Sequence, residues 1–214
     1  MKITKQQTLL SEYRKKKNII KDRLRSFKKV WAGTDRKIFS ELCFCICTPQ
    51  SRAVVCDKAV TLLDKKGFLL GGAKQDVRSR LKGVRFPNNK AKYILRAREL
   101  FIKGNRVNIK TEIDSKNIIK TREWFVSNVK GIGFKEASHF LRNIGFGKDL
   151  AILDVHILRN MVRLGLIDEA PKSLPKKKYM HLEDKLRAFS KEIKIPMDEL
   201  DLLFWSNETG EIFK

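Results

Sequence analysis

Val129-Lys130-Gly131-Ile132-Gly133-Phe134-Lys135-Glu136-Ala137, running on into Ser138-His139-Phe140-Leu141-Arg142-Asn143, decides how this chain is read. Apolar residues flank two glycines spaced two apart. The stretch therefore predicts a helix, a tight turn and a second helix, a helix-hairpin-helix over residues 118–143. Glycine lacks a β-carbon, so the backbone at Gly131 and Gly133 can approach a phosphate closely. Amides there and at the next helix's amino end can donate to its oxygens. Such a grip is blind to base sequence. On the glycines alone, a plain corner between two helices is an equal reading.

Lys135 falls in the first turn of the second helix, where unpaired amides and the macrodipole disfavour a cation. A neutral amine is a nucleophile, and from an ordinary value near 10.4, holding it neutral at pH 7 costs about 4.6 kcal/mol. After the apolar run Leu150-Ala151-Ile152-Leu153, Asp154 stands at another predicted helix start. A carboxylate there can cap the helix and still face positive charge developing on a sugar.

Helical spacing continues outward, as in Ile38, Leu42, Cys45, Ile46 and in Tyr93, Ile94, Ala97, Leu100, Phe101, and no convincing strand pattern appears. Stop signals such as Gly33, Pro49, Gly71-Gly72, Pro87, Gly104, Gly145, Pro175 and Pro196 divide the chain into about nine or ten helices. Thr34, Ser51, Ser115 and Asp154 are the candidate caps. The fold class expected is all-α.

In 214 residues, 47 Lys plus Arg face 24 Asp plus Glu, a net charge of +23, while 42% of residues are hydrophobic. That composition folds. Its charge surplus calls for a polyanion, most naturally nucleic acid, with membrane surface and ribosomal RNA left open on charge alone. No apolar run approaches the roughly 18 residues of a membrane span, and the amino end lacks the apolar centre of a secretion signal. A soluble, cytoplasmic protein is expected. Cys43, Cys45, Cys47 and Cys56 read as free buried thiols, because no second cysteine or histidine pair follows to complete a zinc site.

The hairpin followed by Ile152-Leu153-Asp154-Val155-His156 resembles the helix-hairpin-helix DNA glycosylases, with Val129-Lys130-Gly131 where many members carry Leu-Pro-Gly. A lysine at the place of Lys135 marks the members that are also lyases. The iron-sulfur branch carries four cysteines near the carboxyl end, whereas none follows Cys56 here, and the chain is too short for the added sheet domain of the larger eukaryote-type enzymes. The closing stretch from Glu199 to Lys214, with FSELCFCICTPQS (39–51) and GVRFPNNKAKYI (83–94), is similar to the small type-two 8-oxoguanine DNA glycosylases of archaea and some bacteria. The likeness runs from about Phe39 to Lys214.

The resemblance implies a single domain, 1–214, with two helical lobes flanking a cleft, acting as a monomer on double-stranded DNA that contains 8-oxoguanine. Because a base inside the stack shields its glycosidic carbon, the nucleotide must be extruded. Gln50 would fill the gap, Lys135 attack the sugar and Asp154 stabilise the charge. Gly131, Gly133 and His156 would hold phosphate. Phe86 and Trp205 would stack on the base, Lys214 would read it through a free carboxylate, and Asp201 could take its amino edge. Removing Lys214 should then spare DNA affinity and erode choice of lesion. No redox or organic cofactor is implied, although hairpins of this family can hold a monovalent cation through backbone carbonyls.

Plainer readings stand beside these: Gln50 a turn residue, His156 a packed histidine, Phe86 and Trp205 core aromatics, Lys214 a loose tail. The rival functions are a glycosylase/lyase for other oxidised bases, a non-catalytic hairpin that only binds DNA, and a basic RNA-associated protein.

Overall fold

The computed structural model of the chain describes residues 2–214. Eleven α-helices carry it: α1 (Lys2–Ala32), α2 (Asp35–Cys47), α3 (Ala53–Lys65), α4 (Phe68–Gly71), α5 (Lys74–Arg80), α6 (Pro87–Phe101), α7 (Ile118–Asn128), α8 (Phe134–Asn143), α9 (Val155–Arg163), α10 (Lys176–Ile193) and α11 (Met197–Thr209). The all-α expectation holds, with one correction. A two-residue antiparallel ribbon, β1 (Ile102–Lys103) and β2 (Arg106–Val107), turns at Gly104, and it is too short to leave an alternating pattern in the sequence.

Cap chemistry explains where the helices begin. Thr34 accepts from the Lys37 amide at the start of α2, and Asp154 caps α9. Two expected caps are displaced. Ser115 is passed over because Asp114 Oδ1 already accepts the amides of Lys116 and Asn117, so Asn117 caps α7 by accepting from Lys120 at 3.1 Å. The Ser51 hydroxyl instead accepts the Arg85 amide at 2.9 Å, and α3 starts at Ala53.

Two apolar cores define two lobes. The first draws on residues from Val30 to Leu150 and is built mainly on α2, α3, α6, α7 and α8; the second joins α1 to α9, α10 and α11. On α1 the residues Leu9, Tyr13, Ile20 and Phe27 recur at four and seven, making the single buried stripe that docks on α11. Every residue of α8 from Ala137 to Asn143 is buried.

Beneath α8 the lobes share a buried polar network. Arg122 on α7 grips Glu183 on α10 with both ends of its fork, Nη1 to Oε1 at 2.6 Å and Nη2 to Oε2 at 2.8 Å. Glu183 Oε1 also accepts the Ala151 amide at 2.7 Å, and Tyr179 donates its hydroxyl to the Ala151 carbonyl at 2.6 Å. These bonds fix the extended run that leads to Asp154. The four cysteines are buried in α2 and α3 as free thiols, and burial pushes Cys47 up to about 12 and Cys56 up to about 11, which keeps them unreactive.

Candidate active site

Between the lobes lies a cleft of about 700 Å³ that collects Gln50, Lys135, Asp154, His156, Asp201, Trp205 and Lys214. Seven residues separated by up to most of the chain length thus share one cavity, which a set of unrelated surface residues would not do.

Lys135 enters from the amino end of α8, its side chain 26% exposed. Glu136, which the sequence reading did not use, spans two positions: Oε1 lies 2.7 Å from Lys135 Nζ, and Oε2 accepts the Gly133 amide at 3.2 Å. The Gly133 donor expected to serve phosphate is therefore occupied here, and a phosphate would have to displace Glu136. Gly131 differs, since its amide has no acceptor among the described residues. The Gly131 carbonyl likewise accepts no hydrogen bond among them.

Gly131 has φ +90°, and a β-carbon there would collide with the Tyr93 ring. Gly131→Ala should cost about 1–3 kcal/mol of stability, read by thermal melting. An unchanged melting point would show that the turn does not need glycine.

Asp154 directs one oxygen at its helix. Oδ1 accepts the amides of His156 and Ile157, both at 2.9 Å, while Oδ2 has no hydrogen bond among the described residues. Capping and a second task are compatible because they use different atoms. His156 follows in the first turn of α9, its Nδ1 buried without a partner and its ring edge-on to Trp205 at 6.5 Å.

Gln50 is an exposed turn residue at the cleft with φ +58°, a left-handed conformation that a non-glycine residue adopts at a cost of roughly 1–2 kcal/mol. Phe86 shares that conformation, φ +55°, but the structure does not bring it into the cleft. It is 53% exposed where α6 begins, tethered to the Gln50 turn by the bond from Arg85 to Ser51.

Of the cleft residues that went unread, three adjoin Lys135 or the tail. His139 and Arg142 follow Lys135 by four and seven positions on α8, a spacing that places all three on one face. His139 is 8% exposed with Nε2 unpartnered, and burial, then the charges of Arg142 and Lys135, holds its imidazole neutral. Arg142 reaches Asp201 from Nη2 at 3.3 Å, leaving Nε and Nη1 without partners. Burial pushes Asp201 up to about 7 against the pull of Arg142. Glu211 is the third, beside the tail. Lys214 lines the same cleft as His139. Its ammonium is buried, which lowers its pKa, but Glu41 and Asp57 outweigh that and raise it.

A second lysine competes for attention. Lys90 is 4% exposed and donates to the Ile46 carbonyl at 2.7 Å, and burial lowers its pKa, yet it does not line the cleft.

Residues 20–195 match the family described as 8-oxoguanine DNA glycosylase. A protein of Fusobacterium nucleatum named 8-oxoguanine DNA glycosylase/AP lyase is 46% identical over 204 residues, covering 94% of each chain. The Thermotoga maritima 8-oxoguanine DNA glycosylase structure superposes with TM-score 0.89 at 33% identity, covering 100% of both chains. The Methanocaldococcus jannaschii 8-oxoguanine glycosylase/lyase, solved with a 15mer DNA containing 8-oxoguanine, gives TM-score 0.86 at 36% identity, covering 97% of this chain and 100% of that one.

Proposed function

The chain belongs to the 8-oxoguanine DNA glycosylase family, and from that premise we propose that it excises 8-oxoguanine from duplex DNA and then nicks the strand through a lysine Schiff base. The observation that carries this reading is the meeting of Lys135 with Asp154, its Oδ2 free, in one cleft between two lobes.

The unpaired Gly131 amide and the basic surface hold the backbone, and His156 contributes at a neighbouring phosphate. Gln50 enters the stack as the damaged nucleotide leaves it. With its proton removed, Lys135 Nζ forms a bond to C1′ while the bond from C1′ to the base breaks, and the base departs with the electron pair and takes up a proton. Asp154 Oδ2 faces the positive charge that builds on the sugar. The amine then loses its second proton as the ring oxygen is expelled, giving a protonated imine. That imine acidifies the C2′ hydrogen. Loss of this proton expels the 3′ phosphate with its electron pair, cutting the strand.

Trp205 offers one stacking face to the base. Asp201, supported by Arg142, suits the N–H groups of a guanine-type edge. The lesion differs from guanine by a carbonyl at C8 and a hydrogen on N7, so discrimination needs an acceptor beside N7, a task that falls to the main-chain oxygen of Lys214. Phe86 would have to swing inward to complete the stack. A monovalent cation held by hairpin carbonyls would add positive charge near the phosphate. All these groups come from one chain, which supports a monomer. No helix among the described residues is long and apolar enough to cross a membrane, and the proposed place of action is the chromosome.

Borohydride added during reaction with a duplex carrying a single 8-oxoguanine should trap a protein–DNA adduct. A panel with other oxidised bases separates the nearest rival, and a non-catalytic hairpin would trap nothing. Absence of any adduct would end the reading.

A further inference from the structure

Beyond α11, which belongs to the second lobe, the tail crosses to the first. Ile212 still packs on the second core, Phe213 on the first, and Lys214 reaches α2 and α3. There its ammonium sits 2.9 Å from Glu41 Oε1 and 2.6 Å from Asp57 Oδ1, and 4.7 Å from the centre of the Phe44 ring. Glu41 is itself held, since Oε2 accepts from Asn143 Nδ2 on α8 at 3.1 Å. Phe44 in turn stands edge-on to His139 at 5.5 Å. An exposed lysine with one acidic partner adds little. This one is 16% exposed, with two anions and an aromatic face around it.

We propose that Glu41 and Asp57 are positioning residues for base discrimination: by gripping the Lys214 ammonium they fix that residue's main chain in the cleft it shares with His139 and strap the second lobe's last helix to the first lobe. The inference rests on the reading that the cleft receives an extruded 8-oxoguanine. A tail past a helix end is ordinarily the most mobile part of a domain, whereas an acceptor that tells N7–H from bare N7 must be held to within about 0.5 Å. The grip also has a second effect. A lysine ammonium is a natural donor to N7 and O6 of ordinary guanine, so one loose in the cleft would favour the undamaged base. Engaging it with two carboxylates removes that wrong donor while its backbone presents the right acceptor.

The test uses the full chain carrying Glu41→Gln with Asp57→Asn. Single-turnover excision of 8-oxoguanine should fall about tenfold or more, the scale of a misplaced contact, and undamaged duplex should become a stronger competitor. Nicking of a preformed abasic site, which needs no base reading, should stay near the native rate. Hydrogen exchange of the amides at 211–214 should accelerate in parallel. Lys214→Met, which keeps both acids but lacks the donor, should lose excision without gaining affinity for undamaged duplex. Glu41→Lys combined with Lys214→Glu should recover part of the discrimination.

Unchanged discrimination or unchanged tail exchange in the double variant overturns the proposal. So does an equal loss of abasic-site nicking, which would signal general damage to the fold. Failure of the underlying functional reading has a different signature: native protein would then cleave no 8-oxoguanine duplex, while tail exchange would still respond to the two substitutions.

Discussion

A Lys135→Ala chain should bind a lesion-containing duplex about as tightly as the native protein and yield no borohydride-stable adduct. The lysine is one of 47 basic residues, so its removal changes the salt dependence of binding by less than about one counterion. Excision, by contrast, should fall on the order of 10⁴-fold or more, as expected when a covalent nucleophile is lost. Lys90 makes this a sharp test. It is a second lysine close to α8's charges, buried and bonded to the Ile46 carbonyl. A trapped adduct surviving in Lys135→Ala and disappearing in Lys90→Ala would move the nucleophile from one to the other.

Asp154→Asn should separate the two tasks of that side chain. Asparagine caps helices about as well as aspartate, so the amides of His156 and Ile157 keep their acceptor and the melting temperature should hold. Excision should still drop on the order of 10²–10³-fold, because a fixed anion facing developing charge is lost. Asp154→Ala should show that rate loss together with about 1 kcal/mol of lost stability. If asparagine turns over at the native rate, the carboxylate is only a cap.

Local chemistry was legible in the sequence. A glycine pair, a lysine just after it and an aspartate at a helix start are each signals of a few residues, and α7, α8 and α9 present them as such. Features that depend on distant segments were not. Glu41 and Lys214 lie 173 positions apart, and nothing in the spacing of either stretch announces the other. Likewise α1 shows its apolar stripe but not that the stripe belongs with α11. His139 and Arg142 are an intermediate case: their helical offset from Lys135 was readable, but the apolar neighbours Phe140 and Leu141 made the whole stretch look like ordinary core. Phe86 differs again: its left-handed backbone and its exposure at the start of α6 depend on the Arg85–Ser51 tether between distant segments, which the residues around it do not announce.

The division of the lobes also bears on how the molecule assembles. The buried residues of the first core come from Val30 to Leu150, with Phe213 alone added from the tail, whereas the second cannot form until α1 meets helices made long after it. Loop closure over such separations is slow even where its entropy is modest, so the first lobe can condense while the second waits. An intermediate of that kind would already display Lys135 but not Asp154, both of whose flanks depend on the later core. Reactive amine and opposing acid would be united only in the last docking step, and a half-made chain could capture an abasic aldehyde before it could release a damaged base.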